Sequence, residues 1–161
     1  DLVAHGEREP FVVSGPGEYE VQEIFIRGVP STSRYGGKER INTIYAVTLE
    51  EMKLCFIGAM SDRKLPTETK EVVAGADVLF VPVGGDGVLT PGDAHELAVE
   101  LEAKMVIPIH YPTSAGNIGE ADALAKFLKA SGKGNISPVE KLTLKRKDLD
   151  GKEEEVVVLS V

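Results

Sequence analysis

The sequence is poor in cysteine and histidine, the residue types that most often build structural zinc sites. It contains one cysteine, Cys55, and three histidines among 161 residues. A single cysteine excludes intrachain disulfides and zinc sites made of several thiolates. Because Cys55 lies within the apolar run 54–57, we interpret it as a small buried side chain rather than a reactive thiol.

The sequence also lacks long apolar runs and a surplus of positive charge. No run approaches the roughly 20 apolar residues of a membrane-spanning helix, and no signal-peptide pattern is evident. The formal net charge is −8 and the sequence pI is near 4.9. Because nucleic acids and anionic membranes bind clustered Lys and Arg, we predict neither as a partner. We expect a cytoplasmic location.

Apolar residues, by contrast, are plentiful enough for a core. They make up 42% of the chain, whose length fits one domain of ordinary size. We therefore predict a single domain over residues 1–161.

The first half of the chain shows the alternation of β-strands. Residues 18–27 predict one strand with a bulge near Glu23 and Ile24. The runs 41–49 and 53–57 predict two antiparallel strands joined by a tight turn, and the polar segment before them predicts an exposed hairpin loop.

The second half alternates between helices and buried strands. Thr67 and Thr90 are predicted N-caps of two helices, and Pro91 suits the first position of the second helix. The continuous apolar runs 77–83 and 105–109 are typical of parallel strands buried on both faces. They predict a βαβ unit with a right-handed crossover.

The end of the chain predicts one more helix and a hairpin. The helix spans residues 120–130, and the hairpin pairs residues 141–144 with residues 155–161. Together these elements predict an α/β fold, a mixed sheet with helices packed on it.

Three loops follow apolar strands at their carboxyl ends, which is where ligands bind in open α/β sheets: 58–62, 84–88 and 110–116. Gly84 and Gly85 have no Cβ, so backbone there can approach a ligand closely. Asp86 can offer a carboxylate and His110 an imidazole to the same space, where they can share a metal or form an orienting pair. The alternative to a ligand site is that residues 84–88 form an ordinary turn and that His110 only donates a hydrogen bond to a neighbouring loop carbonyl.

Residues 76–94 and 103–111 resemble the carboxyl-terminal half of the metallo-β-lactamase superfamily. The resemblance lies in the buried strand that ends in Pro-Val-Gly-Gly and in the later Val-Ile-Pro-Ile-His-Tyr run. The sequence is most similar to the metal-dependent hydrolases that include the ascorbate-phosphate lactonase-like enzymes. This resemblance implies an αββα sandwich with one or two metals, usually zinc or manganese, at one edge of the sheets.

The resemblance assigns a metal role to His110, which matches the final ligand of the family. Other positions depart from the family pattern. The bridging Gly-Asp reads Gly58-Ala59, no histidine stands near residues 31–33, and the Gly-Gly-His of this branch ends in Asp86. The family's His-x-His-x-Asp-His loop would lie before Asp1, so we expect a domain without its usual first strands and His-rich loop.

These observations predict a metal-dependent hydrolase-like protein that acts on an ester, lactone or phosphoester through a degenerate or incomplete metal site. His110 and Asp86 are the predicted metal ligands, with zinc, manganese or no metal as the cofactor. The predicted cleft is lined by further residues of the three loops: Gly58, Gly84, Gly85 and Tyr111.

Two other hypotheses stay open. A non-catalytic binding or assembly module on the same fold is consistent with Ala59, because the loss of a bridging carboxylate ruins a binuclear centre. A homo-oligomer would form if the antiparallel part of the sheet has an exposed edge.

Overall fold

A computed structural model describes residues 10–84, 87–111, 122–134 and 136–160. These residues form one seven-stranded mixed sheet whose strand order follows the chain. The strands are β1 Gly17–Val21, β2 Ile24–Ser33, β3 Arg40–Leu49, β4 Met52–Phe56, β5 Val78–Pro82, β6 Met105–Ile109 and β7 Glu155–Val156. The α-helices are α1 Thr67–Val73, α2 Pro91–Glu100 and α3 Ala123–Ala130.

The antiparallel half, β1 to β4, contains a hairpin that the sequence did not predict. Val21 pairs with Ile24 across a two-residue turn in which Gln22 and Glu23 have φ angles of 50° and 66°. The prediction of one bulged strand was wrong because this turn lacks the Gly or Asn that usually marks it. The predicted hairpin between β3 and β4 is confirmed.

The parallel half, β4 to β7, contains the predicted βαβ unit. β5 and β6 pair in parallel, and α2 connects them. Thr90 caps α2 as predicted, since its side chain accepts a hydrogen bond from the Asp93 N–H at 3.1 Å. Thr67 does not cap α1: Pro66 occupies the N-cap position with extended backbone, so Thr67 becomes the first helical residue.

The predicted hairpin at the end of the chain was wrong. β7 pairs in parallel with β6, and residues 141–144 form no strand. Their alternating Leu142 and Leu144 instead pack against the sheet together with Leu149, which is fully buried. The alternating apolar side chains of residues 141–144 therefore cover one face of the sheet instead of forming a strand of it.

The two faces of the sheet are covered differently. The helices pack on one face and enclose the main core, which includes Ile44, Leu79, Leu97 and Phe127. Cys55 lies in this core, and burial raises the pKa of its thiol to about 11, as expected for an unreactive side chain. No helix among the described residues is long and apolar enough to cross a membrane.

Candidate functional site at the strand ends

The carboxyl ends of β4, β5 and β6 meet at one edge of the sheet. Backbone hydrogen bonds continue the parallel pairing just beyond the strands: the Ile57 N–H donates to β5 at 3.0 Å and the Val83 N–H donates to β6 at 3.0 Å. This register places Gly58, Gly84 and His110 within two residue positions of one another at the ends of the three strands. The edge is the place where ligands bind in sheets of this kind.

His110 is exposed at this edge and has an unusual backbone conformation. Its φ is 54°, a left-handed value that few non-glycine residues adopt and that recurs at functional sites. Its ring lies against Tyr35, with the two ring centroids 5.3 Å apart and the planes at 69°. An edge-on arrangement is one of the favoured geometries for two aromatic rings.

Tyr111 supports the site from behind. Its ring packs against the core on the helical face, and its hydroxyl donates to the Leu159 carbonyl at 3.3 Å. Burial raises the pKa of this phenol, so it stays protonated and can keep this bond. In this arrangement Tyr111 steadies the end of β6, while His110 faces the solvent.

Ser61 connects three loops around the site. Its hydroxyl accepts a hydrogen bond from the Arg34 N–H at 2.6 Å and donates to the Gly87 carbonyl. Its own N–H donates to the Thr32 carbonyl at 3.0 Å. Only glycine fits at position 87, because a Cβ there would lie 2.3 Å from the Arg34 carbonyl oxygen. The segment that carries Tyr35 is thus fixed over the edge of the sheet.

Asn42 organises the loop after β4. Its Nδ2 donates to the Ile57 carbonyl at 2.8 Å and to the Ser31 hydroxyl at 2.7 Å, and its Oδ1 accepts from the Ala59 N–H at 3.1 Å. Gly58 has a φ of 69°, and a Cβ there would lie 2.6 Å from Asn42 Oδ1. The sequence prediction included Gly58 but missed Asn42, whose only signal was an amide side chain within an apolar strand.

The side chains at this edge do not fit a zinc or manganese ion on their own. Ala59 has no donor atom, while Asn42 and Ser61 are already bonded to backbone groups of the loops. Among the described residues there is no group of three or more His, Cys, Asp or Glu that could hold a metal. Since transition-metal sites need three or four such ligands, His110 alone does not suffice.

Two of the predicted site residues, Gly85 and Asp86, lie outside the described residues, so the pairing of Asp86 with His110 stays a prediction. Gly84 is described and buried. A Cβ at Gly84 would lie 2.4 Å from the Cβ of Ala123 at the start of α3. The glycine at position 84 therefore lets α3 approach the sheet closely.

The mixed seven-stranded sheet with its helices matches the α/β fold of metallo-β-lactamase-like proteins. The model of the beta-lactamase superfamily domain matches residues 3–110, so the chain belongs to this family. The chain is also 32% identical to a candidate Zn-dependent hydrolase of the metallo-beta-lactamase superfamily from Thermotoga maritima, with a TM-score of 0.74 over 92% of this chain and 71% of that one.

Curated relatives point to the same class. A UPF0173 metal-dependent hydrolase of Bacillus thuringiensis is 30% identical over 114 residues, which are 65% of this chain and 48% of the relative. A UPF0173 metal-dependent hydrolase of Anoxybacillus flavithermus is 45% identical over 53 residues, 33% of this chain and 22% of that protein. The chain thus spans less than half the length of these relatives.

Proposed function

We propose that this chain is a hydrolase-like member of the superfamily with a degenerate metal site. Its strand-end cleft receives a small molecule that carries an ester, lactone or phosphoester group. The relatives support the hydrolase class, since they are metal-dependent hydrolases. The observation that carries the degenerate site is the donor set that the described residues offer at this edge, which is one imidazole at His110 among neutral amide and hydroxyl groups.

The described residues suit the binding of a polar carbonyl compound. His110 can donate or accept a hydrogen bond through its ring nitrogens. The half-exposed ring of Tyr35 beside it offers an apolar surface. Because the chain carries a net charge of −8, long-range electrostatics favour a neutral ester or lactone over an anionic phosphoester.

A metal-loading experiment tests this proposal. The purified chain is incubated with Zn²⁺ or Mn²⁺, excess metal is removed, and the bound metal is measured by mass spectrometry. Turnover of a phenyl ester, an aromatic lactone and a phenyl phosphate is followed in parallel. The proposal expects less than about a tenth of an equivalent of metal and no metal-dependent turnover, because ligands must be preorganised in sufficient number.

A second candidate is an active metal-dependent hydrolase that takes its remaining ligands from outside the described residues. The 32% identity with the candidate Zn-dependent hydrolase from Thermotoga maritima favours it. In that case His110 and Asp86 would hold the ion together with further side chains. About one equivalent of metal that is lost in His110→Ala, with turnover lost in parallel, would support this second candidate.

Self-association is a separate proposal. β1 lies at one edge of the sheet and pairs only with β2 among the described residues. It carries Glu18 and Glu20 on one face, and charged side chains on an edge strand disfavour open-ended pairing. Sedimentation velocity over a range of concentrations tests whether the chain forms a homo-oligomer: a dimer would support it, and a monomer throughout would exclude it.

A further inference from the structure

The segment that places Tyr35 over His110 is a short 3-10 turn on the surface. It comprises Tyr35–Gly37, and the Tyr35 side chain is 49% exposed. Core packing does not restrict the rotamers of an exposed aromatic side chain. Here it contacts the imidazole of His110, so its position decides what a ligand meets beside that ring.

Three backbone N–H groups hold the turn in place. The Arg34 N–H donates to the Ser61 hydroxyl at 2.6 Å, and the Tyr35 N–H donates to the Ser33 hydroxyl at 3.2 Å. The Gly37 N–H closes the turn on the Arg34 carbonyl at 3.0 Å. These three bonds do not use the Tyr35 side chain, whose ring contacts His110.

Ser61 is the element that links this turn to the sheet edge. Its hydroxyl joins Arg34, which precedes Tyr35, to Gly87, which follows β5. Ser61 itself follows β4, so one side chain ties three neighbouring loops together. No hydrogen bond among the described residues joins Ser61 or Gly87 to the His110 ring, whereas Ser61 bonds the backbone of Arg34, the residue before Tyr35.

We propose that Tyr35 is a positioning and specificity-determining residue of the strand-end cleft, and that Ser61 holds it in place against His110. The ligand class that fits is an ester or lactone with a planar aromatic group beside the carbonyl. The carbonyl meets the imidazole of His110 while the aromatic group lies along the Tyr35 ring. The ligand class rests on the proposed function, in which the cleft receives an ester or lactone. The positioning of His110 by Tyr35 does not depend on that function.

The positioning is tested by proton NMR of the histidine rings in the free protein. The ring of Tyr35 shifts the His110 ring signals through its ring current, and these signals are assigned by their loss in His110→Gln. We expect them to move in Tyr35→Leu and in Ser61→Ala, and to stay in place in Tyr35→Phe, which keeps the ring. Signals of His95, on α2, serve as the internal reference.

Ser131→Ala is the matched control for Ser61→Ala. The Ser131 hydroxyl also donates to a backbone carbonyl, that of Leu128 at 3.0 Å, but it lies at the end of α3. This control should leave the His110 signals unmoved. His110 signals that stay at their wild-type positions in both Tyr35→Leu and Ser61→Ala would overturn the inference. Tyr35→Leu changes a half-exposed side chain and is expected to leave the fold intact. It therefore tests the inference even if Ser61→Ala folds poorly.

The specificity is tested with two lactones, aromatic dihydrocoumarin and aliphatic δ-valerolactone, titrated on the same signals. We expect dihydrocoumarin to bind about fivefold more tightly in the wild type and in Tyr35→Phe, and equally in Tyr35→Leu. An unchanged ratio in Tyr35→Leu would overturn the specificity role. If neither lactone binds any variant but the signals still move, the proposed ligand class fails while the positioning of His110 by Tyr35 is supported.

Discussion

The Ala59 N–H donates to the Asn42 side-chain oxygen at 3.1 Å, although the two residues are 17 positions apart in the chain. The family pattern that the sequence resembles has a bridging aspartate at position 59. Here the loop after β4 is instead organised by a neutral amide, which also bonds the Ile57 carbonyl. A loop that is held in this way does not need a metal ion to fix its shape.

The first prediction concerns Asn42. Replacing it by Ala leaves the Ile57 carbonyl and the Ala59 N–H without their partner, and we expect a loss of about 1–3 kcal/mol in the free energy of unfolding. Urea unfolding followed by circular dichroism measures it. Ser131→Ala, which removes a single bond at a helix end, should cost less than half as much. Equal costs for the two variants would contradict the organising role of Asn42.

The second prediction restores the family residue at position 59. Among the described residues there is no group of three or more His, Cys, Asp or Glu that could hold a metal, and Ala59→Asp adds a single carboxylate. We expect metal uptake to stay below about a tenth of an equivalent, since two ligands do not complete a transition-metal site. Metal content after loading with Zn²⁺ provides the measurement. A gain of stoichiometric metal with turnover would favour an intact set of other ligands.

Asp77 connects stability to pH at the opposite end of β5. Its side chain accepts from the Lys53 N–H at 2.8 Å and from Lys104 Nζ at 2.8 Å. Burial alone raises the pKa of this carboxyl, but these hydrogen bonds and the charges of Lys104 and Arg146 outweigh it and lower the pKa below the ordinary 3.8. The carboxylate therefore stabilises the fold above the ordinary pKa, and this contribution disappears as the pH falls through the lowered value.

The third prediction follows from that sign. Asp77→Asn should lower the free energy of unfolding by about 2 kcal/mol at neutral pH, and the difference from the wild type should shrink as the pH falls below about 4. Denaturant unfolding at a series of pH values measures it. Asp150→Asn, at an exposed position, is the control. Its free energy of unfolding should change with pH in parallel with that of the wild type. A difference for Asp77→Asn that grows on acidification would refute the account.

The fourth prediction compares two glycines. Gly84→Ala places a Cβ 2.4 Å from that of Ala123, so α3 must move and we expect a loss of about 1–3 kcal/mol in the free energy of unfolding. Gly92→Ala is the matched control, because a Cβ there meets nothing within 4 Å. On α2 it should instead stabilise by roughly 0.5–1 kcal/mol. Thermal unfolding decides; a neutral Gly84→Ala would show that α3 is not packed on the sheet edge.

Sequence patterns located the edge of the sheet because they depend on local periodicity. The apolar strands before Gly58, Gly84 and His110 are continuous, and their parallel pairing follows from the helix between them. The hairpin at Gln22 and Glu23 escaped prediction because neither residue type signals a two-residue turn. Local patterns thus placed the elements but not every boundary.

Local sequence patterns could not predict the contacts that shape the site. Asn42 meets Ala59 across two strands, Ser61 meets Gly87 across 26 positions, and Tyr35 meets His110 across 75 positions. Each of these side chains is polar or exposed and follows no apolar period. Only the folded register brings them together, so the sequence pointed to His110, Gly58, Gly84 and Tyr111 at this edge but not to Tyr35, Ser61 or Asn42.

The central proposal is that the strand-end cleft around His110 has a degenerate metal site. Metal content after loading with Zn²⁺ or Mn²⁺, measured on the wild type and on His110→Ala, tests it most directly. The account predicts less than about a tenth of an equivalent in both proteins. About one equivalent in the wild type that disappears in His110→Ala would contradict it and would establish a working metal centre.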